Sequence, residues 1–213
     1  MRIHRLSEEE SKMKRTKVVL DVTILLFLIV SCSSAARAQQ IITLTFDELP
    51  FQPVDGLSFM GVTFGFTING QPSQDANYHS FGPGRIRYVQ DPSLEGNAAG
   101  TLTLDFDTPT QLLEFGLAIN NFGGAFARGF SVELFDDLGS LGIFNVATAP
   151  VVIFSESRFN YEHGRPVSRA VITFNTDVAQ RFALDNLTFF TPSVVPSTRA
   201  QPNFEPGGTP WRH

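Results

Sequence analysis

Between Ile41 and Phe190 the apolar residues return at every second position, and this period decides what the chain can become. In Gly100-Thr-Leu-Thr-Leu-Asp-Phe-Asp107, Leu102, Leu104 and Phe106 share one face while Thr101, Thr103 and Asp105 share the other. The same alternation runs through Ile42-Leu44-Phe46, Phe130-Val132-Leu134 and Ala170-Ile172-Phe174. Successive side chains of a strand point to opposite faces, so this pattern predicts half-buried antiparallel strands. Strands are expected over 41–47, 57–68, 85–90, 100–107, 111–119, 129–136, 140–146, 150–156, 167–175 and 181–190. Turn signals separate them, among them Asp55-Gly56, Gly82-Pro83-Gly84, Asp107-Thr-Pro109, Gly123-Gly124, Asp136-Asp-Leu-Gly139 and His163-Gly-Arg-Pro166. No stretch of helical length carries a 3.6-residue repeat. Many short strands joined by Gly/Pro turns make an all-β domain, a β-sandwich or a barrel.

Composition separates that body from its ends. All three lysines and four of the arginines precede Gln39; from Gln39 on there are nine arginines, no lysine and 17 acidic residues, an excess of eight negative charges. Phosphate-backbone binding draws its affinity from Lys and Arg, so nucleic acid is excluded as a partner. Twenty of the 21 phenylalanines also fall after residue 39, where large flat rings suit the space between two sheets about 10 Å apart. Residues 1–38 read as a leader. A basic stretch from Lys12 to Lys17 precedes the apolar run Ile24 to Val30, and Ala36-Arg37-Ala38 forms an A-x-A cleavage site: a signal peptide cut after Ala38. A transmembrane helix needs about 20 apolar residues; the run from Val18 is 13 long and contains Asp21. Met13 is the better initiator, because Glu8 to Glu10 are foreign to a leader start. Cys32, the only cysteine, follows Leu28-Ile29-Val30-Ser31 and offers a lipid anchor as the alternative to cleavage at Ala38. The domain expected over 39–190 is followed by a tail, 191–213, with five prolines and no alternation, read as disordered. Secretion without disulfides fits a bacterial source.

Catalytic constellations are missing. There is no G-x-S-x-G, no H-E-x-x-H and no P-loop, and His79 and His163 are the only histidines of the expected domain. A binding role fits better than an enzyme. Most phenylalanines are assigned to the core; the exceptions are Phe122 and Phe126, in the loop-like Asn120-Asn-Phe-Gly-Gly-Ala-Phe-Ala-Arg128. An aromatic plane beside amides and a guanidinium grips sugar C–H faces and hydroxyls together, so Asn120, Asn121, Phe122, Phe126 and Arg128 are the first candidate ligand residues. Tyr78, with Asn77 and His79 in the segment Asp75 to Arg87, is the second place.

Four segments taken together, Thr45-Phe-Asp-Glu-Leu-Pro50, Met60-Gly-Val-Thr-Phe64, Gly100 to Pro109 and Ala183-Leu-Asp-Asn-Leu-Thr-Phe189, resemble the exported β-sandwich domains of bacterial PEP-CTERM sorted proteins. The resemblance spans 41–190. It implies a jelly-roll, galactose-binding-like sandwich of the kind used by carbohydrate-binding modules, with first and last strands adjacent. It also implies a structural calcium ion held by Asp47, Glu48 and Asp185, since calcium takes six to eight oxygen ligands. The tail departs from that family: it lacks a Pro-Glu-Pro signal, a terminal hydrophobic helix and a closing basic cluster. Free secretion or the Cys32 anchor is therefore expected instead of sorting. The function expected is a non-catalytic module for envelope or extracellular carbohydrate. The alternative is a structural or adhesive component of a surface matrix, whose edge strands pair with neighbours.

Overall fold

The computed structural model describes residues 39–192. The expected leader with Met13, Cys32 and the Ala38 cleavage site, and the tail beyond Pro192, lie outside the described residues.

Twelve strands follow in order: β1 (Gln39–Leu44), β2 (Gln52–Pro53), β3 (Ser58–Phe59), β4 (Val62–Ile68), β5 (Gln71–Pro72), β6 (Ala76–Ser80), β7 (Ser93–Asn97), β8 (Gly100–Asn120), β9 (Phe126–Asp136), β10 (Gly139–Val151), β11 (Phe154–Phe174) and β12 (Arg181–Pro192). Every pairing is antiparallel. One layer of the sandwich runs β4, the first half of β8, the second half of β11, β9 and β10. The other runs β2, β6, β7, β12, the second half of β8 and the first half of β11. β1 lies along the end of β12, so the first and last strands are adjacent, from Gln39 opposite Pro192 to Leu44 opposite Leu187. β8 and β11 belong to both layers, and the hydrogen-bonded ladder is therefore continuous through them.

The bend of β8 shows how a strand changes layer. Before it the core receives even-numbered residues, Leu102, Leu104 and Phe106; after it, odd-numbered ones, Leu113, Phe115, Leu117 and Ile119. Thr110 sits at the change, fully buried. Its hydroxyl donates to the Leu112 carbonyl (2.7 Å) and accepts the Phe190 N–H (2.9 Å), replacing ladder bonds that the bend interrupts. β11 crosses with register shifts between Glu162 and Arg169, which absorb the extra residues as bulges.

The two strands expected over 100–107 and 111–119 are thus one, and His163 to Pro166 lies within β11, not in a free turn. β6 and β7 were not foreseen. The segment 85–90, expected as a strand, is irregular. Its apolar residues Ile86 and Val89 pack on the outside of a sheet, against Ala118 and Ala183, so their spacing reports a surface they cover and not a ladder they join.

Phenylalanine fills the interior as expected. Phe46, Phe64, Phe66, Phe115, Phe130, Phe182 and Phe189 are all but sealed from solvent, each worth about 1.5–3 kcal/mol of transfer free energy. Phe174 stacks on Phe182 at 4.1 Å, and Phe115 on Phe159 at 5.2 Å. Among the described residues, the core runs from Leu44 to Phe189.

Candidate functional site

Residues 114, 116, 118 and 120 of β8 face outward, away from the core. The first three are Glu114, Gly116 and Ala118, and across from them stand Arg158 and Glu156 on β11 and Ala183 on β12. Small residues at Gly116, Ala118 and Ala183 leave a shallow bed, and residues 85–90 lie in it as a strap. The fit is tight: a Cβ on Gly116 would fall 2.7 Å from the carbonyl carbon of Tyr88 and 3.0 Å from its Cβ.

Two buried carboxylates pin the strap. Glu156 accepts the backbone N–H groups of Arg87 (3.2 Å) and Tyr88 (2.8 Å). Asp185 accepts the N–H of Gln90 (2.9 Å) and both the backbone and side-chain N–H of Asn186. Hydrogen bonds to ionised groups of this kind are stronger than neutral ones. Burial nevertheless dominates at Asp185 and pushes its carboxyl up to about 6; the N–H bonds oppose that rise, while Glu48 and Asp47 add to it by like-charge repulsion.

The pinned strap forms one wall of a cleft of about 360 Å³, lined by Thr43, Arg87, Tyr88, Glu114, Gly116, Arg158, Asn186 and Thr188. Its floor is the outer face of β1, β12, β8 and β11, where Thr43 hydrogen-bonds Thr188 (2.9 Å) and Arg158 pairs with Glu114. The guanidinium of Arg87 lies over the Tyr88 ring at 4.8 Å. Amide, hydroxyl, guanidinium and carboxylate groups therefore converge beside an aromatic ring, in a volume at the small end of ligand pockets, about 300–1,000 Å³. Of these residues the sequence pointed only to Arg87, as the end of the segment Asp75 to Arg87, and to none of the others as a ligand residue. The available signal was the run of small residues at outward positions of expected strands, Gly116 and Ala118 with Ala183, which marks a bed for something laid across the sheet.

The candidates named from the sequence are dispersed. Asn120 occupies the same outer face of β8 as Glu114, and its Oδ1 is buried without a partner. Asn121 is buried and structural: its Nδ2 donates to Ser155 (2.5 Å) and its Oδ1 accepts the Gly123 N–H. Phe122 is 78% exposed, at positive φ, on the β8–β9 turn. Phe126 is half-buried on β9, and Arg128 is exposed there, its carbonyl accepting the Asn175 side-chain amide. None of these lines the cleft. Tyr78 must be corrected outright. Its ring is fully buried against Phe46, Phe59 and Phe64 and has no face to offer a solute. Its hydroxyl reaches Glu48 (2.5 Å), and burial, reinforced by Glu48, pushes its ionisation far up. A tyrosine at an inward position of an unforeseen strand reads like a loop aromatic until the strand is known.

The calcium set also fares differently from its expectation. Adjacent first and last strands do bring Asp47, Glu48 and Asp185 within electrostatic reach. Their oxygens, however, are engaged elsewhere: Glu48 with the Thr45 N–H and hydroxyl and with Tyr78, Asp47 with the Thr45 hydroxyl, Asp185 with the strap. Among the described residues no group of three or more His, Cys, Asp or Glu side chains is placed to hold a metal ion. This arrangement does not fit a calcium cage.

No protein-family model matches the chain. No curated protein matches it in sequence. Among solved structures it is similar to a family 29 carbohydrate-binding module from Piromyces equi, at 11% identity and a TM-score of 0.39, covering 74% of this chain and 93% of that one. A family 29 module determined with cellulohexaose gives 9% identity and a TM-score of 0.39, covering 72% and 92%. Superposition at that level transfers neither residue nor ligand. The class rests on the chain's own geometry: an all-β antiparallel sandwich with a polar cleft on the outer face of one sheet.

Proposed function

We propose that this domain is a non-catalytic carbohydrate-binding module and that the cleft beside the strap is its binding site. The observation that supports this is the convergence of Arg158, Glu114, Asn186 and Thr188 on one sheet face with Tyr88 of the strap beside them. Vicinal sugar hydroxyls are both donors and acceptors, and a guanidinium–carboxylate pair with an amide and a hydroxyl meets both needs. Among the described residues Glu114 is the one carboxylate lining the cleft, and it is already paired with Arg158. Most glycoside hydrolases use two carboxyl groups flanking the bond, and a single, already paired carboxylate is what favours the binding reading over a hydrolytic one. Export by the leader, towards envelope or extracellular carbohydrate, is part of the proposal and rests on the sequence.

The test is titration calorimetry against a panel of soluble polysaccharides, with Tyr88→Ala and Arg158→Leu. Saturable binding to at least one glycan, weakened tenfold or more by either substitution, is expected; tenfold corresponds to about 1.4 kcal/mol. Phe122→Ala should leave the affinity unchanged. Binding lost in Phe122→Ala and retained in both cleft variants would move the site to the β8–β9 turn. No binding to any glycan would overturn the reading.

A further inference from the structure

We infer that residues 81–90, the strap and the segment leading into it, form a lid that lifts, and that the sheet beneath it continues the cleft as a groove for a neutral polysaccharide chain. This rests on the carbohydrate-binding reading and extends its site. The register of the strands lays the groove out. Glu156 on β11 stands opposite Ala118 on β8, and Ala118 opposite Ala183 on β12. Ala183 in turn stands opposite Glu95 on β7, and Glu95 opposite Asn77 on β6. These outward residues make one row across five strands, about 19 Å at the usual strand spacing. The lid runs along that row. A side chain at Gly82 would collide with the Glu95 carboxylate. Ile86 and Val89 pack on Ala118 and Ala183, and the N–H groups of Arg87 and Tyr88 bond Glu156.

A sheet face under permanent cover is ordinarily apolar, since charged residues are almost never fully buried unless paired. This face is polar. Among the described residues the buried charged side chains are Glu95, Glu156 and Asp185, and all three touch the lid. Gly82 packs on Glu95, and the other two accept N–H groups of the strap. None of them forms an ion pair among the described residues. Burial pushes the carboxyl of Glu95 up, as it does that of Asp185. The two buried side-chain atoms left without a hydrogen-bond partner stand at the margins of the same segment. One is His79 Nδ1, on a ring edge-on to Phe81 at 5.4 Å. The other is Asn120 Oδ1, opposite Phe154, which packs in one cluster with Ile86 and Val89. Buried polar groups without partners are costly, and here the cost of closure is gathered under one segment.

The lid is tied down lightly. Its backbone–backbone hydrogen bond, from the Ile86 N–H to the Val89 carbonyl (3.1 Å), is internal, and among the described residues no ladder bond joins 81–90 to a strand. Segments with few such bonds open at less than the free energy of global unfolding. The strap's N–H groups sit on Glu156 and Asp185 where the donors of a ligand would sit. Sugar hydroxyls can donate there in their place, and to Glu95 and the Asn120 amide oxygen, while Ala118 and Ala183 leave a flat floor between. A chain of hydroxyls therefore binds the lifted state better than the seated one, as ligand-driven opening requires. Carboxylates at both ends of that floor repel an anionic chain, so the chain is a neutral one. Arg87 and Tyr88 already face the cleft and would meet the chain from above.

Calorimetry with the disaccharide and the hexasaccharide of β-glucan, xylan and starch, and with polygalacturonate as the acidic chain, tests this beside hydrogen exchange on the same samples. At least one hexasaccharide should bind about tenfold or more tighter than its disaccharide. At saturation the amides of Arg87, Tyr88 and Gln90 should lose protection. Asn77→Ala, at the far end of the row and outside the cleft, should weaken the hexasaccharide and leave the disaccharide unchanged. Strap amides that gain protection on binding would make the strap a fixed wall and overturn the lid. So would a hexasaccharide bound no tighter than its disaccharide, one indifferent to Asn77→Ala, or polygalacturonate bound more tightly than every neutral chain. In each of those cases a polysaccharide bound in the panel above leaves the cleft reading standing, whereas the absence of all glycan binding overturns both.

Discussion

Gly116→Ala is the sharpest test of the strap, because a single methyl group is set against backbone atoms that cannot rotate away. The added Cβ would fall 2.7 Å from the Tyr88 carbonyl carbon, well inside ordinary contact. Two responses are open. The strap can lift, losing the bonds from Arg87, Tyr88 and Gln90 to Glu156 and Asp185, each worth about 1.5–3 kcal/mol, and exposing Val89 for about 1.5–3 kcal/mol more. Or it can stay and shift locally, at the usual overpacking cost of about 1–3 kcal/mol. The second is cheaper, so the strap should remain seated with Tyr88 displaced. Urea unfolding should show a loss of about 1–3 kcal/mol, and glycan binding should weaken because the cleft wall has moved. Hydrogen exchange should still find the Tyr88 and Gln90 amides protected. A stability change under about 0.5 kcal/mol, the range of an inconsequential surface change, would refute the close packing. Full exposure of those amides would refute the comparison of the two costs.

Three further outcomes follow from the buried polar groups. Tyr78→Phe should fold, keep its glycan affinity and lose about 1 kcal/mol in urea unfolding, since the lost bond ends on an exposed Glu48; lost binding would restore Tyr78 as a ligand residue. Asp185 has a folded-state value of about 6, above the unfolded value of about 3.9, so its contribution is greatest below about pH 4 and is lost as pH rises through about 6. The difference in unfolding free energy between wild type and Asp185→Asn should therefore change across pH 4–6, by up to about 3 kcal/mol; a flat difference would show that Asp185 titrates normally. A chelator should leave the melting midpoint unchanged. A fall that calcium restores would mean that Asp47, Glu48 and Asp185 rearrange around an ion.

Much of the architecture could be read from alternation alone. Leu102-Leu104-Phe106 and Phe130-Val132-Leu134 are inward in the structure as in the pattern, because a strand with one wet face has to write its burial into every second residue. The same logic misled at 85–90, where apolar spacing came from a strap lying on a sheet. It was silent for β6 and β7: in β7 both faces are buried, since Ser93, Leu94, Glu95 and Gly96 are all sealed, and a strand covered on both sides has no alternation to show.

The sequence by itself determined the all-β class, the Phe-filled core and the excess of negative charge. Those are consequences of local period and composition. Only the tertiary structure decided which outward residues meet. Arg158, Glu114, Asn186 and Tyr88 come from β11, β8, β12 and the strap, far apart in the chain, and their convergence depends on register and on a bed of small side chains. It also decided that Tyr78 is core and that Glu156 and Glu95 stand in one row beneath the strap. Pairing partners and register are long-range choices, and no local pattern records which outward residues fall into line.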